Sequence, residues 1–153
     1  MSFRLEFVSE IPFELNLEVV STIVLTMSEI APEAQEGIVN VAFVDDETMR
    51  GYNRDYRGID TTTDVLSFHY FEDFSACGAD EVVGEILLSE SRIRQQAPEY
   101  GNETDIETYK LLVHSLAHLL GYDHEDDQDH AKMKAVEDGV TAELEKKFGF
   151  RLG

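Results

Sequence analysis

The spacing of apolar and polar positions predicts both strands and helices along the chain. Runs that alternate strictly or are rich in β-branched residues indicate strands, whereas apolar residues three and four apart indicate helices. The predicted strands are 3–9, 37–44, the end of the segment 61–71, and 81–89. The predicted helices are 13–30, 45–58, 90–100, 105–121 and 126–149. Because strands and helices do not alternate regularly, we expect an α+β fold in which helices pack against a small sheet.

Residues with known preferences for helix ends mark two of these helices. Asp45 is suited to cap the start of the second helix, and Gly58 is suited to end it. Thr104 or Asp105 would cap the fourth helix. Gly121 follows its last periodic residue, where a glycine with positive φ commonly ends a helix.

The end of the fourth predicted helix carries a cluster of histidines. The segment HSLAHLLGYDH, 114–124, holds three of the five histidines in the chain. His114 and His118 are four residues apart and therefore lie on one helix face. Gly121 can turn the chain back cheaply, so that His124 can approach the same ion. We predict a metal site at this helix end, with one zinc ion per chain bound by His114, His118 and His124.

Three imidazole ligands leave one position of a tetrahedral zinc open, which is typical of catalytic sites. Water bound there can have its pKa lowered from 15.7 to about 7. The spacing H-x-x-x-H-x-x-G-x-x-H is that of the metzincin peptidases, in which a glutamate follows the first histidine as general base. Here that residue is Ser115, which cannot accept a proton near neutral pH as a carboxylate does. The pattern therefore predicts a hydrolytic zinc site and disfavours peptidase chemistry.

Other residues with ligand chemistry have simpler interpretations. His69 follows a predicted strand and could lie in or near the site, although a structural role is the favoured interpretation. His130 lies among acidic residues and is expected to be a solvated surface residue, and Cys77 is expected in an exposed turn. Asp64 has two open interpretations: it orients a zinc-bound histidine, or it caps a turn. Asp123 is expected to stabilise the turn after the helix.

The charge of the chain changes which partners are expected. Twelve Lys and Arg against 32 Asp and Glu give a net charge of −20. Such a surface opposes nonspecific binding of nucleic acid. The repulsion is largely screened beyond about 8 Å at physiological salt. A local cationic site can therefore still bind a phosphate.

Length and segment composition indicate a small protein of the cytoplasm. The 153 residues suggest a single domain, 1–153. The first residues lack a basic region followed by a long apolar core, and no apolar run approaches roughly 18 residues. Cys77 is the one cysteine and closes no internal disulfide, which fits a reducing compartment. We therefore expect a soluble, cytoplasmic chain.

Three motifs, taken in order, resemble the YbeY family of bacterial endoribonucleases. They are YNRDYRGIDTTTDVLSF (52–68), GEILLS (84–89) and HSLAHLLGYDH (114–124). The resemblance implies a zinc-dependent, single-strand-specific endoribonuclease that acts in maturation of 16S ribosomal RNA and in ribosome quality control in the cytoplasm. It also implies an α+β fold with a mixed sheet and a metal site near the end of the histidine helix.

The resemblance also implies roles for particular residues. It places zinc on His114, His118 and His124, and it maps the family's arginine onto Arg57. A guanidinium suits phosphate because it can donate two parallel hydrogen bonds. Taken without the resemblance, Arg57 would be expected to form a salt bridge with one of the many carboxylates. The attacking group, water or the ribose 2′-OH, stays open.

The chain departs from the usual family pattern at several positions. Ser115 replaces a glycine, Thr61 and Thr62 replace Lys-Pro, Glu85 replaces an aspartate, and His69 replaces a proline. None of these changes removes a predicted ligand. The missing lysine does remove one cation from the surface expected to face RNA.

Two other functions remain open at this stage. A noncatalytic ribosome-assembly factor with a structural zinc would suit the acidic surface, which favours basic ribosomal proteins or the small ribosomal subunit as partners. A metallopeptidase-like zinc hydrolase rests on the histidine spacing alone. The RNA endonuclease, with a 16S ribosomal RNA precursor as substrate, is the function that all three motifs support.

Overall fold

A computed structural model describes residues 3–30, 36–70, 80–120 and 127–152. Its strands are β1 (Phe3–Phe7), β2 (Gly37–Val44), β3 (Val65–His69) and β4 (Val82–Ser89). Its helices are α1 (Leu17–Ile30), α2 (Asp46–Arg57), α3 (Glu90–Glu99), α4 (Thr104–Leu119) and α5 (Asp127–Phe148). No helix among the described residues is long and apolar enough to cross a membrane.

The strands form one mixed sheet in the order β1-β2-β4-β3. β1, β2 and β4 are parallel, and β3 runs antiparallel to β4 at the edge. This sheet with its packed helices confirms the predicted α+β class. It also has the mixed strand directions that the resemblance implies.

The two faces of the sheet pack against different helices. Ile86 and Leu88 of β4 are fully buried in a large core that includes residues of α1, α4 and α5. Leu87, between them, points the other way and joins Met49 of α2 and Leu66 of β3 in a smaller cluster. Successive side chains of β4 point to opposite faces of the sheet, so one face packs against α4 and the other against α2.

Helix α2 has the ends that the sequence predicts. The carboxylate of Asp45 accepts a hydrogen bond from the backbone N–H of Thr48 at 2.8 Å. This bond lowers the pKa of Asp45, as expected for a charged cap. At the other end, Gly58 has φ 71° and donates to the carbonyl of Arg54.

Helix α1 begins four residues later than predicted. Its start is set by Asn16, whose side chain accepts a hydrogen bond from the N–H of Glu18 at 2.9 Å. Phe13, included in the predicted helix, instead packs its ring edge-on against Phe43, with centroids 5.7 Å apart. The side-chain amide of Asn16 competes for backbone N–H donors, and the start of α1 therefore lies later than the apolar pattern predicts.

The predicted cap of α4 is also wrong. The N-cap is Glu103, which makes no side-chain capping bond, and Thr104 and Asp105 lie inside the first turn. Asp105 accepts from the N–H of Ile106. The predicted C-cap, Gly121, lies outside the described residues.

Close packing around Gly84 yields a stability prediction. A Cβ at Gly84 of β4 would lie 2.9 Å from the carbonyl oxygen of Phe68 and 3.4 Å from a methyl of Leu119. The first contact is with backbone, which cannot rotate away. We expect Gly84→Ala to lower the free energy of unfolding by about 1–3 kcal/mol, as overpacking does. Urea denaturation measures this loss.

Gly51→Ala is the matched control. Gly51 lies in α2, and a Cβ there would meet nothing within 4 Å. This change is expected to raise the free energy of unfolding by up to about 1 kcal/mol, since alanine favours a helix over glycine. Equal effects of the two substitutions would contradict the proposed contact at Gly84.

Candidate active site

Helix α4 brings two of the predicted ligands together. Ten of its 16 residues are buried, and this burial leaves His114 and His118 on the side of α4 that is not covered. Their rings lie 5.7 Å apart, centroid to centroid, at an interplanar angle of 82°. Both line a cleft of about 520 Å³ between α4 and the edge strand β3. The predicted third ligand, His124, lies outside the described residues, as do Asp123 and Cys77.

A carboxylate on α5 holds one of these imidazoles. Nδ1 of His114 lies 2.7 Å from Oε1 of Glu137. Glu137 is half-buried, so the contact is partly shielded from water. An imidazole held through Nδ1 presents Nε2 as its remaining ligand atom. Sequence reasoning missed Glu137 because it lies 23 residues away on another helix.

Asp64 forms hydrogen bonds with helix α3 and strand β4. Its carboxylate accepts a hydrogen bond from Nε2 of Gln96 at 3.0 Å, and its backbone carbonyl accepts from the N–H of Ser89. Gln96 also lies 3.5 Å from the buried carboxylate of Glu107. Asp64 lines the cleft, and its carboxylate also accepts a hydrogen bond from the hydroxyl of Thr63 at 3.4 Å.

Arg57 lines the same cleft from the end of α2. It is exposed, and its guanidinium forms no ion pair within the described ranges. The neighbouring arginines differ: Arg50 binds Asp60 at 2.8 Å, and Arg54 binds Asp55 at 3.1 Å. The salt bridge considered for Arg57 is therefore not formed with a described carboxylate. Its cation faces the cleft.

A side-chain bond fixes the loop beyond Arg57. Nδ2 of Asn53, a buried residue of α2, donates to the carbonyl of Thr61 at 2.9 Å. The N–H of Ile59 donates to the carbonyl of Asn53. These two bonds tie the segment after Gly58 back onto α2. They fix the course of the chain between Arg57 and the start of β3.

The remaining histidines occupy two different environments. His69 ends β3, is exposed, and lines the cleft with His114. This position lies beside the predicted metal site, and the structural role expected for His69 stays a prediction. His130 is exposed on α5, as expected. Ser115, which follows His114, is buried at 2% exposure and forms part of the cleft wall.

Comparison with known proteins identifies the family. A family model described as Endoribonuclease YbeY matches residues 7–145. The chain belongs to the YbeY endoribonuclease family. The Endoribonuclease YbeY of Geobacillus thermodenitrificans is 38% identical over 151 residues, which cover 92% of this chain and 95% of that protein. The Endoribonuclease YbeY of Desulfitobacterium hafniense is 39% identical over 120 residues, 75% of this chain and 76% of that protein.

A solved structure shares the fold of this YbeY family member. The solution structure of TM1509 from Thermotoga maritima superposes with a TM-score of 0.58 at 25% sequence identity. The match covers 94% of this chain and 93% of TM1509. The architecture of sheet and helices is therefore found in a solved protein over nearly the whole chain.

On the other face of the sheet, Glu85 pairs with a tyrosine. Glu85 lies opposite Phe68 in the β3–β4 register, and its carboxylate accepts a hydrogen bond from the hydroxyl of Tyr70. This bond, with partial burial, raises the pKa of Tyr70 to about 12. The bond stabilises the protonated phenol. Glu85, a departure from the family motif, thus has a local partner.

We expect Glu85→Gln to lower the pKa of Tyr70 from about 12 toward 10, because a neutral amide stabilises the protonated phenol less than a carboxylate does. Since the folded-state pKa is the higher one, the stabilisation is complete below pH 10 and is lost as the pH rises toward 12. Ultraviolet titration of tyrosinate, taken as the difference from Tyr70→Phe, measures this pKa. An unchanged value would show that Glu85 is not the cause.

Proposed function

We propose that this chain is a zinc-dependent endoribonuclease that cuts single-stranded RNA. In this proposal its substrate is a 16S ribosomal RNA precursor, and it acts in ribosome maturation and quality control in the cytoplasm. Membership of the YbeY endoribonuclease family supports the RNA substrate. The observation that carries the proposal is one cleft of about 520 Å³ lined by His114, His118 and Arg57, which forms no ion pair with a described carboxylate.

Two imidazoles of the cleft, those of His114 and His118, have the chemistry of zinc ligands. The Nδ1 of His114 is engaged by Glu137, the arrangement commonly found around zinc-bound imidazoles, so Nε2 would bind the metal. His118 would be the second ligand, and His124 the third. When bound, zinc would polarise a phosphoryl oxygen and lower the pKa of a water molecule.

The chain's own residues have distinct tasks in this proposal. Arg57 would bind a nonbridging phosphate oxygen and stabilise the charge that develops there during cleavage. Glu137, whose Oε1 lies 2.7 Å from Nδ1 of His114, would orient that ring for metal binding. Arg50 and Arg54 pair with carboxylates, whereas Arg57 lines the cleft without an ion pair to a described carboxylate, so Arg57 would be the phosphate contact.

A noncatalytic assembly factor is the second candidate, favoured by the net charge of −20. Such a surface suits basic ribosomal proteins of the small subunit better than naked RNA. The two candidates differ in whether they cleave purified RNA: the nuclease cuts it, and a noncatalytic factor leaves it intact.

Cleavage of single-stranded RNA with and without chelator tests the proposal. We expect wild type to cleave and chelator to stop it. His118→Ala should lose both zinc, measured by elemental analysis, and cleavage, because it removes a ligand. His130→Ala removes an exposed histidine outside the cleft and should retain both. Equal cleavage by wild type and His118→Ala, or none by either, would contradict the nuclease.

Arg57→Ala should separate phosphate binding from metal binding. We expect kcat/KM to fall on the order of 100-fold, as for loss of one donor to a developing charge, with zinc content and the unfolding midpoint unchanged. Arg54→Ala, which removes an arginine already paired with Asp55, should retain activity. A loss of zinc in Arg57→Ala would rule out the proposed phosphate role.

Glu137→Gln tests the carboxylate behind His114. We expect zinc affinity to weaken by roughly 10- to 100-fold, as for similar contacts in other zinc sites. Competition with a fluorescent zinc chelator measures the affinity without reference to activity. Asp138→Asn is the control because it removes the same charge as Glu137→Gln. Asp138 is exposed and pairs with Lys134. Equal affinities of the two variants would contradict the role of Glu137.

A further inference from the structure

Four aromatic side chains form a patch on the face of the sheet opposite the histidines. This aromatic patch consists of Tyr52 and Tyr56 of α2, Phe68 of β3, and Tyr70. The rings of Tyr52 and Tyr56 are stacked, with centroids 5.9 Å apart and an interplanar angle of 17°. Phe68 packs edge-on against Tyr56 at 5.0 Å.

The patch is not covered by the rest of the described fold. Tyr56 is 67% exposed and Tyr70 is 54% exposed. Phe68 packs against the small cluster under α2, and the tyrosines extend this apolar surface outward into solvent. A recess of about 430 Å³ lies beside them. Contiguous exposed aromatic surface of this kind marks a binding site more often than isolated residues do.

The recess adjoins the histidine cleft at the edge strand β3. Ser67 and His69 of the edge strand β3 line both of them. Tyr56 lines the recess, and the next residue, Arg57, lines the cleft. A single strand whose phosphate contacts Arg57 would therefore bring an adjacent base to the ring of Tyr56.

We propose that the aromatic patch is a stacking platform for unpaired bases of the RNA strand that enters the cleft. The proposal rests on the proposed nuclease function and adds a base-binding subsite to it. Aromatic rings bind bases through their faces and do so with little dependence on sequence. Bases in a duplex are already stacked on each other, so the patch would select single strands.

The charge of the protein also favours stacking over further phosphate contacts. Around the patch, Arg54 is paired with Asp55, and Glu85 is bonded to Tyr70. On a surface of net charge −20, little binding energy is available from the RNA backbone away from Arg57. Contacts to the uncharged bases supply binding energy that does not require cations.

The absence of tryptophan from the sequence allows a direct test. Tyr56→Trp places a single fluorophore in the patch. Tyr100→Trp places one at a tyrosine of similar exposure, 61%, outside the patch. The probe is a 2′-O-methyl oligouridylate, checked on a gel for intactness. We expect it to quench Tyr56→Trp and to leave Tyr100→Trp nearly unchanged.

Two matched ligands separate stacking from charge. An abasic oligomer of the same length carries the phosphates without the bases and should not quench Tyr56→Trp. Annealing the oligouridylate to its complement should also abolish quenching. Quenching by the abasic oligomer, or equal quenching of the two variants, would overturn the platform. A shift of Tyr56→Trp emission with protein concentration in the absence of RNA would mean that a second copy covers the patch.

Affinity measurements give an independent readout. Tyr56→Ala is expected to weaken binding of the oligouridylate on the order of tenfold, while Tyr100→Ala has no effect. Tyr56→Phe keeps the ring and should restore binding even if the alanine variant folds poorly. Weak binding by Tyr56→Phe would contradict stacking.

The outcomes distinguish this proposal from the nuclease function. Selective quenching of Tyr56→Trp without cleavage by wild type would support the platform and contradict the nuclease. Cleavage by wild type without such quenching would support the nuclease and contradict the platform.

Discussion

The burial of α4 is the constraint on which the candidate site depends. Leu112 and Leu116, four residues apart, are almost completely buried in the large core. With those side chains turned inward, the helical period requires His114 and His118 to lie together on another side. The cleft exists because β3 passes that side of α4. The metal chemistry proposed here is therefore a consequence of how one helix is packed.

Local patterns in the sequence predicted the elements that local forces determine. Helix α2 starts after Asp45 and ends at Gly58, as the backbone preferences of these residues predict. The four-residue interval between His114 and His118 correctly predicted that they share a helix face. The predicted start of α1 was wrong because the side chain of Asn16 competes for backbone donors. Such competition depends on one hydrogen bond and has no periodic signal.

Contacts between residues far apart in the sequence could not be predicted from its local patterns. Glu137 reaches His114 only because α5 packs beside α4, and a glutamate in a chain with 32 acidic residues carries no distinguishing mark. The sequence also did not predict the exposure of Tyr56, because scattered aromatic residues are expected in the core. Whether an arginine of α2 pairs with a carboxylate likewise depends on rotamers and neighbouring loops: Arg50 and Arg54 do so, and Arg57 does not within the described part of the chain.

Tyr56 and Arg57 are consecutive residues in the last turn of one capped helix, yet they line recesses on different sides of β3. The separation of their Cα atoms is therefore set by covalent geometry, and movement of a loop cannot change it. Any change that tilts or shifts α2 displaces both side chains by the same rigid motion. Substitutions under α2, for example at Met49, would thus act on both recesses at once, and their effects would not combine additively with changes at either residue.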